Sequence, residues 1–248
     1  MSKVVLITGA SRGIGAATAR LAAARGYAVG INYTRDAAAA DAVADAVHAA
    51  GTKAVTVRAD VADESQVVGM FDAVASALGP IDALVNNAGI LFRQSRLEEM
   101  DAARINRVLA VNVTGAMLCA REAVRRMSTA RGGAGGAIVN VSSAAARLGG
   151  PNEYIDYAAS KGAVDTLTIG LAKEVATHGI RVNGVRPGII ATDIHASGGE
   201  PGRVARVAPN VPMQRGGEPE EVASAVVWLL GDEASYITGA LLDITGGR

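Results

Sequence analysis

The sequence predicts a doubly wound α/β fold, with a mostly parallel seven-stranded sheet and helices on both faces. Three observations carry that reading. Short runs rich in Val, Ile and Leu alternate with alanine-rich helical stretches along nearly all of the 248 residues. The runs are almost continuously apolar, as strands must be when helices cover both faces of a parallel sheet. A glycine-rich segment follows the first run directly, where a strand would hand over to a helix. Alternation of this kind closes by right-handed crossovers into one sheet.

"KVVLIT" (3–8) is a buried strand, followed by a helix over about 13–25 and the strand "YAVGIN" (27–32). A helix over about 36–50 leads to "KAVTVR" (53–58), and one over about 64–77 leads to "IDALVN" (81–86). A long helical region, about 101–128, ends at "RGGAGG" (131–136) before the strand "AIVNVS" (137–142). The next helix carries "YAASK" (157–161) and continues to about Thr177, ahead of the strand "IRVNGV" (180–185). A last helix, about 219–230, precedes "ALLDI" (240–244). The longest irregular stretch, about 191–217, has the length of a functional lid rather than of a plain connector. No linker or repeat divides the chain, so residues 1–248 are expected to form one domain with a mobile lid.

Half the residues are apolar and a fifth are charged, which suits a soluble globular protein. Basic and acidic residues balance, so no net field recruits nucleic acid or an anionic membrane. The single cysteine, Cys119, has no internal partner and suits a reducing compartment. "MSKVVLITGA" lacks a signal-peptide pattern and its apolar run is too short to span a bilayer, so a cytoplasmic location is expected. No His/Cys/Asp/Glu cluster has metal-ligand spacing, and no metal is expected.

The glycine-rich segment reads "TGASRGIG", with Gly9, Gly13 and Gly15 around Ser11, Arg12 and Ile14. Glycine suits this turn because a side chain would block the backbone from a pyrophosphate, which the N–H groups of the following helix then bind. The spacing is G-x3-G-x-G rather than G-x-G-x-x-G, but its place at the first strand–helix junction points to a dinucleotide and a Rossmann fold. The end of the second strand bears on which dinucleotide. It reads Asn32, Tyr33, Thr34, Arg35, with no acid before Asp36 to hold a free ribose hydroxyl. Arg35, with Arg12 as a second cation, favours NADP(H) over NAD(H) and leaves NAD(H) open.

Three further segments fall after strand ends: "NNAG" (86–89), "VNVSS" (139–143) with "YAASK" downstream, and "VRPGIIAT" (185–192). Together with TGASRGIG they resemble the short-chain dehydrogenase/reductase family in its single-domain form, over essentially the whole chain. The likeness is greatest to bacterial sugar-dehydrogenase-like and 3-oxoacyl-carrier-protein-reductase-like members. The resemblance implies Tyr157 as general acid/base, Lys161 as its electrostatic partner and Asn112 as support for a proton relay. It implies a serine of "VSS" that binds the substrate oxygen. Ser143 lies fourteen residues before Tyr157, where the family usually shows thirteen, so Ser143 is preferred and Ser142 stays open. Asp60 and Val61 would lie near the adenine; Asn86, Asn87, Ala88 and Gly89 would shape the cofactor cleft. Pro187, Gly188, Ile190 and Thr192 would line the nicotinamide and its phosphates. The resemblance also implies a homotetramer, with a dimer as the fallback.

Elementary chemistry supports the Tyr157–Lys161 pair independently. A phenol with a pKa of about 10 is a poor base near neutral pH. Residues four apart share a helix face, so Lys161 can approach Tyr157, stabilise its phenolate and lower its pKa. In carbonyl reduction the nicotinamide would supply hydride to carbon while Tyr157 protonates oxygen; alcohol oxidation is the reverse. Ser143 would donate to that oxygen as charge develops. His195 reads as a surface or substrate-rim histidine, because Tyr157 already supplies the acid–base chemistry. Glu200, Arg203 and Arg206 in the lid, with Asn152, Glu153 and Tyr154 nearby, suit a small hydroxylated substrate such as a sugar. The competing expectations are a non-catalytic NADP(H) sensor, which would not need Tyr157, and an epimerase or dehydratase on the same scaffold.

Overall fold

A computed structural model describes residues 2–248. Seven strands form one sheet: β1 (Val4–Ile7), β2 (Ala28–Tyr33), β3 (Ala54–Arg58), β4 (Ala83–Asn86), β5 (Gly136–Val141), β6 (Ile180–Pro187) and β7 (Leu241–Ile244). Their order is β3-β2-β1-β4-β5-β6-β7, and every neighbouring pair is parallel. Alternate residues of each strand point to opposite faces, so Val5 and Ile7 of β1 enter one core while Val4 and Leu6 enter the other.

The first core is closed by α1 (Gly13–Ala24), α2 (Ala37–Ala49) and α10 (Pro219–Leu230). The second is closed by α3 (Glu64–Leu78), α5 (Gly115–Met127) and α7 (Ile155–Val175). Small residues let helices lie close: Ala16, Ala19, Ala22 and Ala23 of α1 are all buried. Asp36 and Asp63 start α2 and α3 as N-caps, accepting from Ala39 N at 2.9 Å and Gln66 N at 3.1 Å. The strand order reverses between β1 and β4, and ligands of open α/β sheets bind in the crevice at such a point.

The long helical region expected at about 101–128 is present over 102–127, with one irregularity. It runs as α4 (Ala102–Leu109), a π-helical turn (Ala110–Thr114) and α5, and the wider turn carries the buried Asn112. One expectation is corrected: the stretch 191–217 is not wholly irregular, since it contains α8 (Ile194–Ser197) and α9 (Arg203–Val207). A further short helix, α6 (Ala145–Leu148), lies between β5 and α7. No helix among the described residues is long and apolar enough to cross a membrane.

Candidate active site

A cleft of about 1170 Å³ opens along the carboxyl ends of the strands. It runs from the glycine turn past residues 60–61 and 87–89 to Tyr157, and under the segment 187–197. Nearly all the residues expected to form a site line it; Gly15, Asn86 and Asn112 do not.

At the glycine turn, Gly9 has φ +62°, a left-handed conformation that disfavours any side chain. A Cβ on Gly15 would sit 2.6 Å from both the Asn87 Nδ2 and the Gly9 carbonyl. Gly15 therefore shapes the turn from behind, without facing the cleft. The N-terminus of α1 has no side-chain cap and no acidic residue in its first turn, so its N–H groups are left for an anion. Two side chains brace the turn. Asn32 accepts from Gly9 N at 3.1 Å and donates to Ala59 O at 3.0 Å; Asn87 donates to Thr8 O at 2.9 Å and Gly9 O at 3.0 Å. Asn32 thus lines the cleft with its side chain turned inward, as a cross-strut. Thr8 was unassigned by sequence reasoning, yet its hydroxyl accepts from Asn87 N and Ala88 N, both at 3.0 Å. The free N–H groups, the space no Cβ fills and the length of the cleft fit a dinucleotide.

Beyond Tyr33 and Thr34 the cleft is bordered by Arg12, Arg35 and Arg58. Arg58 had no place in the sequence reading; it donates to Thr34 O at 3.2 Å. The nearest acid, Asp36, is occupied as the cap of α2. Asp60 accepts from Ala62 N at 3.0 Å and from Arg107 at 2.7 Å. Burial would raise its pKa, but those two bonds hold the carboxyl below its ordinary range.

At the far end, Tyr157 and Lys161 lie on one face of α7, with the ammonium 5.5 Å from the ring centroid. Burial raises the phenol to about 12, opposed by a hydrogen bond with the Ser143 side chain. Burial lowers the ammonium to about 8, opposed by the negative charge of Asp165. Lys161 Nζ donates to Val141 O at 2.8 Å. The two serines separate clearly. Ser142 is buried and donates to Lys161 O at 3.2 Å, whereas Ser143 is the one beside the phenol. Between the serines and Tyr157 runs a tight loop, where Gly149, Gly150 and Asn152 are left-handed.

Asn112 stands behind this pair. Its Oδ1 accepts from Ile90 N at 2.8 Å, and its Nδ2 donates to Ile90 O at 2.9 Å and Ser160 Oγ at 3.0 Å. Ser160 in turn donates to Tyr157 O at 2.6 Å. Asn86 is a brace too, donating to Ala116 O and Asn140 Oδ1. Another clamp had no sequence signal: Asp156 accepts from Arg104 at 2.8 Å and from Tyr157 N at 2.9 Å, holding the start of α7 against α4.

Over the cleft, Arg203 pairs with Glu153 and Glu200, and Arg206 pairs with the same two carboxylates. The Arg203 guanidinium stacks 5.0 Å from the Tyr154 ring centroid. These charges, which suited a hydroxylated substrate, are paired with one another and latch residues 200–206 to the loop before α7. His195 lines the cleft, with Nε2 2.8 Å from Ile190 O, and burial lowers its pKa. Among the described residues no group of His, Cys, Asp or Glu could hold a metal ion.

Residues 9–248 match the family model described as enoyl-(acyl carrier protein) reductase. The chain is 61% identical over 245 residues to an uncharacterized oxidoreductase, YgfF, of Escherichia coli, covering 99% of each. It is 45% identical to cis-4-hydroxycyclohexanecarboxylate dehydrogenase of Sinomonas cyclohexanicum, covering 99% of this chain and 96% of that one. A solved short-chain type dehydrogenase/reductase from Mycobacterium marinum superposes with a TM-score of 0.92 at 37% identity, over 99% of this chain and 94% of that one.

Proposed function

The chain belongs to the short-chain dehydrogenase/reductase family and is an oxidoreductase, and on that premise we propose that it interconverts a small-molecule carbonyl and its alcohol with NADP(H). The observation that carries the reading is the half-buried Tyr157 with the buried Lys161 beside Ser143, at the far end of a cleft that begins at a phosphate-type glycine turn. When bound, the nicotinamide supplies or accepts the hydride. Tyr157 is held protonated by burial, so it is poised as the acid: its O–H bond breaks as the proton moves to the substrate oxygen. Lys161 offsets the charge left on the phenol, and Ser143 donates to the substrate oxygen as that oxygen gains charge. Asn112 fixes the backbone of Ile90 and, through Ser160, that of Tyr157, in support of proton transfer.

Gly9, Ser11, Gly13 and Ile14 would hold the pyrophosphate, and Thr192 and Gly188 would hold the far side of the cofactor. Arg35, Arg58 and Arg12 support NADP(H), since the one nearby acid already caps a helix. Residues 1–248 act as one domain, with 191–217 as a lid. We read the protein as cytoplasmic and as a homotetramer: exposed Met117 and Ile169 on α5 and α7, and Trp228 and Leu242 on α10 and β7, are the surfaces for it. A size measurement giving a stable active monomer overturns that assembly.

The test is NADPH and NADH consumption across sugars, ketones, quinones and acyl thioesters, with cis-4-hydroxycyclohexanecarboxylate as the alcohol. Turnover by the protein, lost in Tyr157→Phe while nucleotide binding persists, is the expected result. Tight binding with no turnover on the panel would favour the sensor reading.

A further inference from the structure

Lys161 is a fully buried cation with one protein hydrogen bond, to a neutral carbonyl. A buried ammonium so placed loses its proton unless a negative charge lies near. One turn further along α7, on the same face, stands Asp165. It is buried, and its Oδ2 accepts from Arg186 Nε at 2.9 Å and lies 2.9 Å from Nη2 of the same guanidinium, while its Oδ1 has no hydrogen-bond partner among the described residues. Arg186, on β6, reaches on to Asp243 of β7 at 3.5 Å, and Asp243 pairs with Arg147 of α6. The result is a chain of ion pairs, Asp165–Arg186–Asp243–Arg147, leading from one helical turn beyond Lys161 to the surface at the edge of the sheet.

We propose that Asp165, anchored by Arg186, is a positioning residue that keeps Lys161 in its ammonium form and so keeps Tyr157 supplied with a cation. The proposal rests on the reading of Tyr157 and Lys161 as the proton-handling pair. Its geometry is specific. The carboxylate is held asymmetrically: Oδ2 is bonded to Arg186, whereas the buried Oδ1 has no hydrogen-bond partner among the described protein groups. Arg186 fixes the carboxylate without drawing it to the surface. The negative field of Asp165 opposes the desolvation of Lys161. The other charges around the ammonium do not replace it. Tyr157 is neutral when protonated, Asp156 is paired with Arg104, and Glu122 of α5 with Arg121, Arg125 and Arg126. Asp165 is paired as well, with Arg186, but it alone of these carboxylates stands one turn from Lys161 on the same face of α7.

The experiment needs neither substrate nor cofactor. The chain has only four lysines, so lysine labelled at its ε carbon gives a spectrum in which each ammonium can be followed through a pH titration. The resonance absent from Lys161→Met assigns the buried one. The wild-type midpoint is expected near 8, and Asp165→Asn is expected to move it down by about one unit or more. Asp165→Glu, which keeps the charge, should stay close to wild type. The double variant Asp165→Asn/Arg186→Gln, which removes both charges, should fall between wild type and Asp165→Asn. A wild-type midpoint in Asp165→Asn, accompanied only by a lower melting temperature, overturns the proposal and leaves the pair a structural brace. Should Asp165→Asn alone fail to fold, an unmoved midpoint in the double variant overturns it equally. If Tyr157→Phe retains full turnover, the functional reading fails instead, whatever the Lys161 titration shows.

Discussion

The two ends of the cleft are built on opposite physical terms. At the Tyr157 end the half-buried Tyr157 and Ser143 are backed by polar groups that the protein holds: Lys161 by Val141, Asn112 by Ile90 and Ser160, the start of α7 by Arg104 and Asp156. At the other end, Arg12 and Arg35 are exposed and make no side-chain hydrogen bond or ion pair among the described residues. The difference fits the two tasks proposed for them. At the Tyr157 end burial holds the phenol protonated, its pKa up to about 12, and brings the Lys161 ammonium down to about 8. Shifts of that kind need desolvation with fixed neighbours. Holding a phosphate requires charge within reach, which a solvated guanidinium supplies with some adaptability and with sensitivity to salt.

That contrast can be broken at four points, the largest effect first. Tyr157→Phe should lower kcat by about 10²–10⁴-fold, the usual contribution of a positioned acid, with NADPH affinity by calorimetry nearly unchanged. A small loss of kcat would mean the Tyr157 end does not handle the proton. Lys161 should cost the apoprotein stability. Its pKa falls from 10.5 unfolded to about 8 folded, so the unfolded chain binds the extra proton and wild-type stability rises with pH between those values. Lys161→Met should therefore stabilise the protein at pH 7 by about 3 kcal/mol from burial, less about 1 kcal/mol for the unbonded Val141 carbonyl. Its advantage in thermal melts should shrink as pH rises from 8 to 10.5.

The exposed end should respond more weakly. Arg35→Ala should reduce the preference for NADPH over NADH by about tenfold, the value of one charge-assisted bond, and the loss should diminish as salt rises. An unchanged cofactor ratio would reassign the phosphate to Arg12 or Arg58. The latch is intermediate in burial, and Arg203 is the more enclosed of its two arginines. Arg203→Ala should raise KM by about fivefold, roughly 1 kcal/mol, with little change in kcat. A fall in kcat with KM unchanged would place Arg203 closer to the chemistry than the latch does.

The sequence by itself determined the strand–helix order, the glycine turn, and the Tyr157–Lys161 pair, because each rests on local rules. Strand burial writes itself as apolar runs, a phosphate turn as glycines, and a shared helix face as a four-residue spacing. The irregularity within 101–128 was not legible, because a π-turn at Asn112 is set by what Asn112 bonds to, not by the propensity of "AVNVTG". Nor was the choice between Ser142 and Ser143, since adjacent residues differ only in the direction the folded backbone gives them. The charges of residues 153 and 200–206 suited a hydroxylated substrate, and only folding brought them within reach of one another. Arg104, Asp156, Asp165 and Arg186 carried no signal either, because their partners are 52 and 21 residues away. Local chemistry is written along the chain, whereas the partner that decides what a charged side chain does is chosen only when distant segments meet.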